Sequence, residues 1–322
     1  MTIEMEEPRD VEERQVGVRD MEEHRVGLRT EPFYDAATST LTYLVFDPRT
    51  RDAVVIDPVL DYDAASGRIA FDSVAKMIAR IRELGLRLHY SLETHAHADH
   101  MSGAQWLRRE LGAQIAIGAR ITEVQAAFKP IFGLPASFPT DGSQFDRLLD
   151  DNTTLHAGAL TITVLATPGH TPACVSYVVA DAVFTGDALF IEDSGTGRCD
   201  FPNGCAEQLY HSIRRLYTLP PATRVFVGHD YQPGGRALRY ATTIGDERAR
   251  NIHVADATSL EDFVAFRRNR DRALAAPRLL LPSVQVNIDA GRLPSAESSG
   301  RRYLRIPLDV EPDAPRQESV TA

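Results

Sequence analysis

Thr94-His-Ala-His-Ala-Asp-His100 places four metal-ligating side chains, His95, His97, Asp99 and His100, within six positions. The segment before it, 88–93, reads as a strand. The segment after it, opened by Ser102 and closed by Gly112, reads as a helix with Trp106 and Leu107 inward. In extended backbone, residues two apart project to the same side, so His95 and His97 can converge. The turn that follows can bring Asp99 and His100 around a second position. A single histidine near a strand end is ordinarily a polar loop residue. Four donors at this spacing indicate a metal site at a strand terminus.

Three later stretches repeat the arrangement. Thr167-Pro-Gly-His170-Thr-Pro follows a strand at 160–166, Thr185-Gly-Asp187 follows one at 182–184, and Gly228-His229-Asp-Tyr231 follows one at 224–227. Each sets a ligand-type residue beyond a strand end, after a glycine that lets the backbone turn sharply. Alone, a Thr-Gly-Asp is a turn. Together, on strands that can share a sheet, the three complete a site.

Around these motifs, strands are expected at 41–46, 53–56 and 175–179. Val74, Met77, Ile78 and Ile81 mark one helix face, and Leu209, Ile213 and Leu216 another. Ser259-Leu-Glu-Asp262 resembles a capping box opening a helix that carries Phe263, Val264 and Phe266. The mixture predicts one α/β domain of two sheets with helices outside and a helical C-terminal elaboration. The expected divisions are a charged head at 1–30, a core at 31–235, an elaboration at 236–310 whose segment 281–287 packs back on the core, and an unstructured tail at 311–322. The head holds a ten-residue repeat, Glu12-Glu-Arg-Gln-Val-Gly-Val-Arg19 and Glu22-Glu-His-Arg-Val-Gly-Leu-Arg29, too short for a solenoid.

Composition narrows the function. The 322 residues carry 45 acidic and 35 basic side chains, a net charge of −10, and only Lys76 and Lys129 among the basic ones are lysines. An acidic chain without a basic block argues against nucleic acid as partner. No apolar run nears the ~18 residues of a membrane span, and the start lacks the basic and apolar regions of a secretory signal. Cys174, Cys199 and Cys205 are too few for a disulfide framework. A cytoplasmic protein is expected, with a homo-oligomer possible and no membrane partner.

The combination of H-x-H-x-D-H with a later His, Asp and His resembles the metallo-β-lactamase superfamily across about residues 30–235. The resemblance implies an αβ/βα sandwich, two mixed sheets with outer helices, and a site at one edge of the sheets. Ile56-Asp-Pro-Val-Leu60, Thr167-Pro-Gly-His-Thr-Pro-Ala-Cys174, Phe184-Thr-Gly-Asp-Ala-Leu189, Gly197-Arg-Cys-Asp-Phe201 and His229-Asp-Tyr231 are similar to the persulfide dioxygenase branch. Those enzymes oxidise glutathione persulfide with O2 to sulfite and the free thiol. The resemblance implies one Fe(II) per chain on His95, His170 and Asp187, a donor set that leaves positions open for substrate and oxygen. His97, Asp99, His100 and His229 would then orient the ligands, with Asp99 and His100 near the chemistry. Tyr231 is a candidate donor to the bound sulfur, with a buried structural tyrosine as the competing reading. Arg198 and Asp200 would form a structural ion pair near the site. Cys199 stands where the branch usually has threonine, and an inert small side chain is the expectation.

The same residues also suit a glyoxalase II-type thioester hydrolase. It would hold two Zn(II), one on His95, His97 and His170 and one on Asp99, His100 and His229, with Asp187 bridging. Gly197-Arg-Cys-Asp-Phe201 counts against it, since that family usually carries Gly-Arg-x-Phe-Glu. A β-lactam hydrolase fits less well, and a non-catalytic metal or redox sensor is the remaining alternative. The other histidines, 24, 89, 156, 211 and 253, need no special role in these readings.

Overall fold

The structure, a computed structural model, describes residues 27–308. The tail at 311–322 and nearly all of the charged head, with most of its repeat, lie outside the described residues. The first sheet runs β1 (Arg29–Asp35), β2 (Thr40–Phe46), β3 (Asp52–Ile56), β4 (Arg87–Glu93), β5 (Gln114–Gly118) and β6 (Arg147–Leu149). Its first two pairings are antiparallel and the rest parallel. The second sheet runs β7 (Thr154–Ala157), β8 (Leu160–Ala166), β9 (Val175–Val179), β10 (Ala182–Phe184), β11 (Arg224–Phe226) and β12 (Ala241–Thr243). All its pairings are antiparallel except β10 with β11. Both sheets are therefore mixed, and helices accompany them in an α/β sandwich.

Strand periodicity sorts the apolar side chains between two cores. Leu41, Tyr43 and Val45 of β2 and Val54 and Ile56 of β3 face the second sheet, where they meet Ile162, Val164, Tyr177 and Phe184. The alternate residues, Leu44, Phe46, Ala53 and Val55, face outward onto Val74, Met77, Ile78 and Ile81 of α1 (Asp72–Glu83). Burying one such side chain contributes about 1.5–3 kcal/mol. Tyr43 lies edge-on to Phe184 and Phe226, and its hydroxyl donates to the Val227 carbonyl at 2.6 Å. Tyr177 reaches across the sandwich to donate to the Glu93 carbonyl at 2.7 Å.

The remaining helices are α2 (Ala104–Leu111), α3 (Ile121–Ile131), α4 (Ala206–Leu216), α5 (Ile244–Arg250), α6 (Leu260–Ala273) and α7 (Leu280–Asn287). Among the described residues, no helix is long and apolar enough to cross a membrane. Four details depart from the sequence reading. Arg29 and Thr30, placed in the head, open β1. The second sheet continues past residue 235, because β12 pairs with β11. Gly103, which has no side chain to cap with, is the N-cap of α2 in place of Ser102, whose hydroxyl donates to Glu93 Oε1 at 2.5 Å and accepts from the Ala104 amide at 3.1 Å. Trp106 is half-buried, packed against Phe71 with ring centroids 4.7 Å apart and planes tilted by 34°, and so lies at the rim of the helix pair. At α6, Ser259 Oγ accepts from the Asp262 amide at 3.1 Å.

The strands β8, β10 and β11 all point the same way, so the loops that follow them emerge at one edge. The loop after β4 joins them through the Val175 amide, which donates to the Thr94 carbonyl at 2.9 Å. The start of β2 closes the ring, with the Leu41 amide on the Gly228 carbonyl at 2.8 Å.

Candidate metal centre

His95, His170 and Asp187 converge at that edge, with donor atoms within 4.8 Å of one another. His95 Nε2 lies 3.9 Å and His170 Nε2 3.6 Å from Asp187 Oδ2. The geometry rests on a sharp turn at Gly186, where φ is +49° and an added Cβ would stand 2.4 Å from Thr94 Oγ1. Only glycine accommodates both.

Hydrogen bonds fix which ring nitrogen faces the cluster. Thr94 Oγ1 donates to Asp57 Oδ2 at 2.8 Å, so its lone pair accepts from His95 Nδ1 at 3.0 Å. His170 Nδ1 donates to the Arg198 carbonyl at 2.7 Å, His229 Nδ1 to the Ser39 carbonyl at 3.1 Å, and His100 Nδ1 to the Met101 carbonyl at 3.0 Å. Each Nε2 is thereby left as a lone-pair donor. His95 Nε2, His100 Nε2 and Asp187 Oδ1 are buried without hydrogen-bond partners. Orphaned acceptors of this kind are costly unless a cation satisfies them. The donor set fits a metal.

A second group lies beside the first. His97, Asp99 and His100 also bring donor atoms within 4.8 Å of one another. His229 Nε2 sits between the groups, 3.4 Å from Asp99 Oδ2 and 3.3 Å from Asp187 Oδ1. His97 Nε2 points away, 2.9 Å from Asp57 Oδ1 and 3.5 Å from Glu93 Oε2. Burial and the surrounding imidazoles push His95 well below its ordinary pKa and bring His100 down to about 4, so both are neutral at pH 7 and able to ligate. At His229 burial is outweighed by Asp187 and Asp99, and at His97 by Asp57 and Glu93, so these two shift upward. Asp99 shifts downward, its burial outweighed by His229, His100 and His97.

Arg198 and Asp200 form a two-pronged pair at 2.5 and 2.6 Å, and Arg198 Nη1 also donates to the Ala275 carbonyl at 2.7 Å. The Arg198 carbonyl in turn accepts from His170 Nδ1. Tyr231 is 57% exposed, which removes the buried structural reading. Its ring stacks on His229 with centroids 5.4 Å apart at 9°, and Phe190 meets it edge-on. The Cys199 thiol is pushed up to about 12 by burial and stays protonated.

Several residues that matter here escaped the sequence reading. Asp57 takes three contacts, from the Thr94 amide (2.7 Å), the Thr94 hydroxyl (2.8 Å) and His97. Its place in Ile56-Asp-Pro-Val-Leu60, at the end of a buried strand, was the available signal. Glu93 beneath His97 carried none. His253, set aside as without a role, is buried and accepts from the Thr196 amide at 3.0 Å, two residues before Arg198.

A cleft of about 460 Å³ opens at the cluster, lined by His170, Asp187 and Tyr231 and by Arg270, Leu274 and Arg278 of the C-terminal part. Residues 36–229 match the metallo-beta-lactamase superfamily. The chain belongs to the metallo-beta-lactamase superfamily. Within it, a probable metallo-hydrolase of Burkholderia pseudomallei is 52% identical over 87% of this chain and 99% of its own. The mitochondrial persulfide dioxygenase ETHE1 of Homo sapiens is 33% identical over 80% of this chain and 87% of its own. The crystal structure of ETHE1 from Myxococcus xanthus superimposes with a TM-score of 0.66 at 34% identity, covering 82% of this chain and all of that one. The candidate centre is formed by the loops after β4, β8, β10 and β11.

Proposed function

We propose that the chain is an Fe(II)-dependent persulfide dioxygenase. It would oxidise a low-molecular-weight thiol persulfide of the glutathione type with O2 and water to sulfite and the free thiol. The observation that carries this reading is the convergence of two imidazoles and one carboxylate, His95, His170 and Asp187, as a set separate from His97. The likeness to persulfide dioxygenases in sequence and in structure supports it. Bound by those three side chains, ferrous iron would supply the redox chemistry and leave positions open for a sulfur anion and O2.

The chain's own groups bind and orient. Asp57 and Thr94 hold the tautomer of His95, and the Arg198 carbonyl holds that of His170. Tyr231, which lines the cleft, would donate its hydroxyl proton in a hydrogen bond to the persulfide sulfur. Arg270 and Arg278, exposed beside the cleft, can meet the carboxylates of an anionic thiol carrier.

One observation favours a second reading. Asp99 and His100 lie together, with His229 Nε2 3.4 Å from Asp99 Oδ2, and these are the three side chains that reading gives to its second zinc, although His97 groups with Asp99 and His100 instead of with His95 and His170. The 52% identical relative is a probable metallo-hydrolase. Metal analysis of the purified protein together with an oxygen electrode separates the two. About one iron per chain, and O2 uptake matched by sulfite release from glutathione persulfide, is the expected outcome. Two zincs with brisk hydrolysis of S-lactoylglutathione and no O2 uptake would overturn the proposal.

A further inference from the structure

The loop carrying His95, His97, Asp99 and His100 runs between β4 and α2 with its backbone buried, so its carbonyls and amides need partners. One end is pinned by Asp57, which accepts from the Thr94 amide at 2.7 Å. The other end is pinned from a distant part of the chain. Asn287, the last residue of α7, is buried, and its Nδ2 donates to the carbonyls of His97 (2.9 Å) and His100 (2.8 Å). Its Oδ1 accepts from the Ser102 amide at 2.8 Å. Both N–H groups and the oxygen of the side chain are therefore spent on the ligand loop. No other side chain of this size offers two donors and an acceptor in that arrangement. Aspartate would set an oxygen against two carbonyls, and alanine would leave all three backbone groups unpaired.

We infer that Asn287 is a positioning residue for the metal centre, holding the backbone of His97 and His100 so that the ligand loop is preorganised for metal. The clamp comes from outside the superfamily match at 36–229, so the C-terminal elaboration takes part in metal retention. The end of α7 is itself anchored by Gln105 Nε2 on the Ala290 carbonyl (2.7 Å) and Gln125 Nε2 on the Ile288 carbonyl (2.9 Å). Gln105 thus offers a control that loosens the same docking without touching the ligand loop.

The test is competition between a chromophoric chelator and the full-length protein for Zn(II) and for Fe(II), alongside melting curves of the metal-free and metal-loaded forms. It does not depend on which reaction the site performs, so the dioxygenase reading can fail while this one stands. Asn287→Ala and the near-isosteric Asn287→Asp should both lose about tenfold or more in metal affinity, with a smaller rise in melting temperature on loading. Gln105→Ala should retain wild-type affinity even if it melts earlier. The inference is overturned if either Asn287 variant folds and binds metal like wild type, or if Gln105→Ala loses affinity equally. Failure of both Asn287 variants to fold would assign the residue to the fold alone and overturn it as well.

Discussion

Asp187 contacts more of the centre than any other side chain described, since Oδ2 faces His95 and His170 while Oδ1 faces His229. Replacing it removes the only carboxylate of the three-residue set. Asp187→Ala should therefore abolish both metal retention and turnover, as metal analysis of the dialysed variant will show. Activity persisting with metal bound would refute the ligand assignment. Tyr231 differs in kind, because it stacks on His229 and holds no ligand in place. Tyr231→Phe should keep its metal and lose about ten- to a hundredfold in kcat/KM for persulfide, the loss of one hydrogen bond to a charged group worth about 1.5–3 kcal/mol. Unchanged kinetics would reduce the tyrosine to a packing role.

At the scale of elements, the helices after the superfamily match act on the site through loops. α6 buries Arg267 against Asp271, and this pair grips the segment that carries Arg198. Arg267 Nη1 donates to the Thr196 carbonyl at 3.3 Å, and Asp271 Oδ2 accepts from the Cys199 amide at 2.9 Å. The Arg198 carbonyl between these two points sets His170. Asp271→Ala would strand a buried guanidinium and should cost about 3–5 kcal/mol in urea unfolding. The double replacement Arg267→Met with Asp271→Leu should recover most of that loss. If the single variant unfolds at wild-type urea concentrations, the pair contributes little to the fold.

The whole molecule feels the same segment through pH. Burial, with Arg267 and Arg270 nearby, brings His253 down to about 3 from its ordinary 6.5. The unfolded chain therefore takes up a proton between pH 6.5 and 3 that the folded chain refuses. Its contribution is complete above pH 6.5 and is lost as pH falls through that window, by up to about 1.4 kcal/mol per unit. His253→Asn, which can keep an acceptor near the Thr196 amide, should flatten the acid limb of stability against pH. Equal slopes for both proteins between pH 6 and 4 on the order of the wild-type value would show that His253 ionises in the folded state.

What could be read from the amino-acid sequence was whatever is local in the chain. The period of two in β2 and β3, the helical spacing of α1 and α4, and the donors just past the ends of β4, β8, β10 and β11 are patterns over a few residues, set by backbone geometry and apolar burial. Those patterns determined the sandwich and the edge where the metal centre lies. They could not tell which donors group together, because that depends on the separation of loops far apart in sequence. The family resemblance named His95, His170 and Asp187 as one set, and the tertiary structure brings their donors together and turns His97 toward Asp57 and Glu93. Nor does any motif around Asn287, His253 or Asp271 announce a role, since an amide, an imidazole and a carboxylate at these positions read as ordinary helix and loop residues. Their roles arise from contacts across 187 residues between Asn287 and His100, 57 between His253 and Thr196, and 72 between Asp271 and Cys199. Hydrogen bonds of that span exist only once the chain has packed, so the candidate ligands could be named from the sequence and the groups that hold their loops could not.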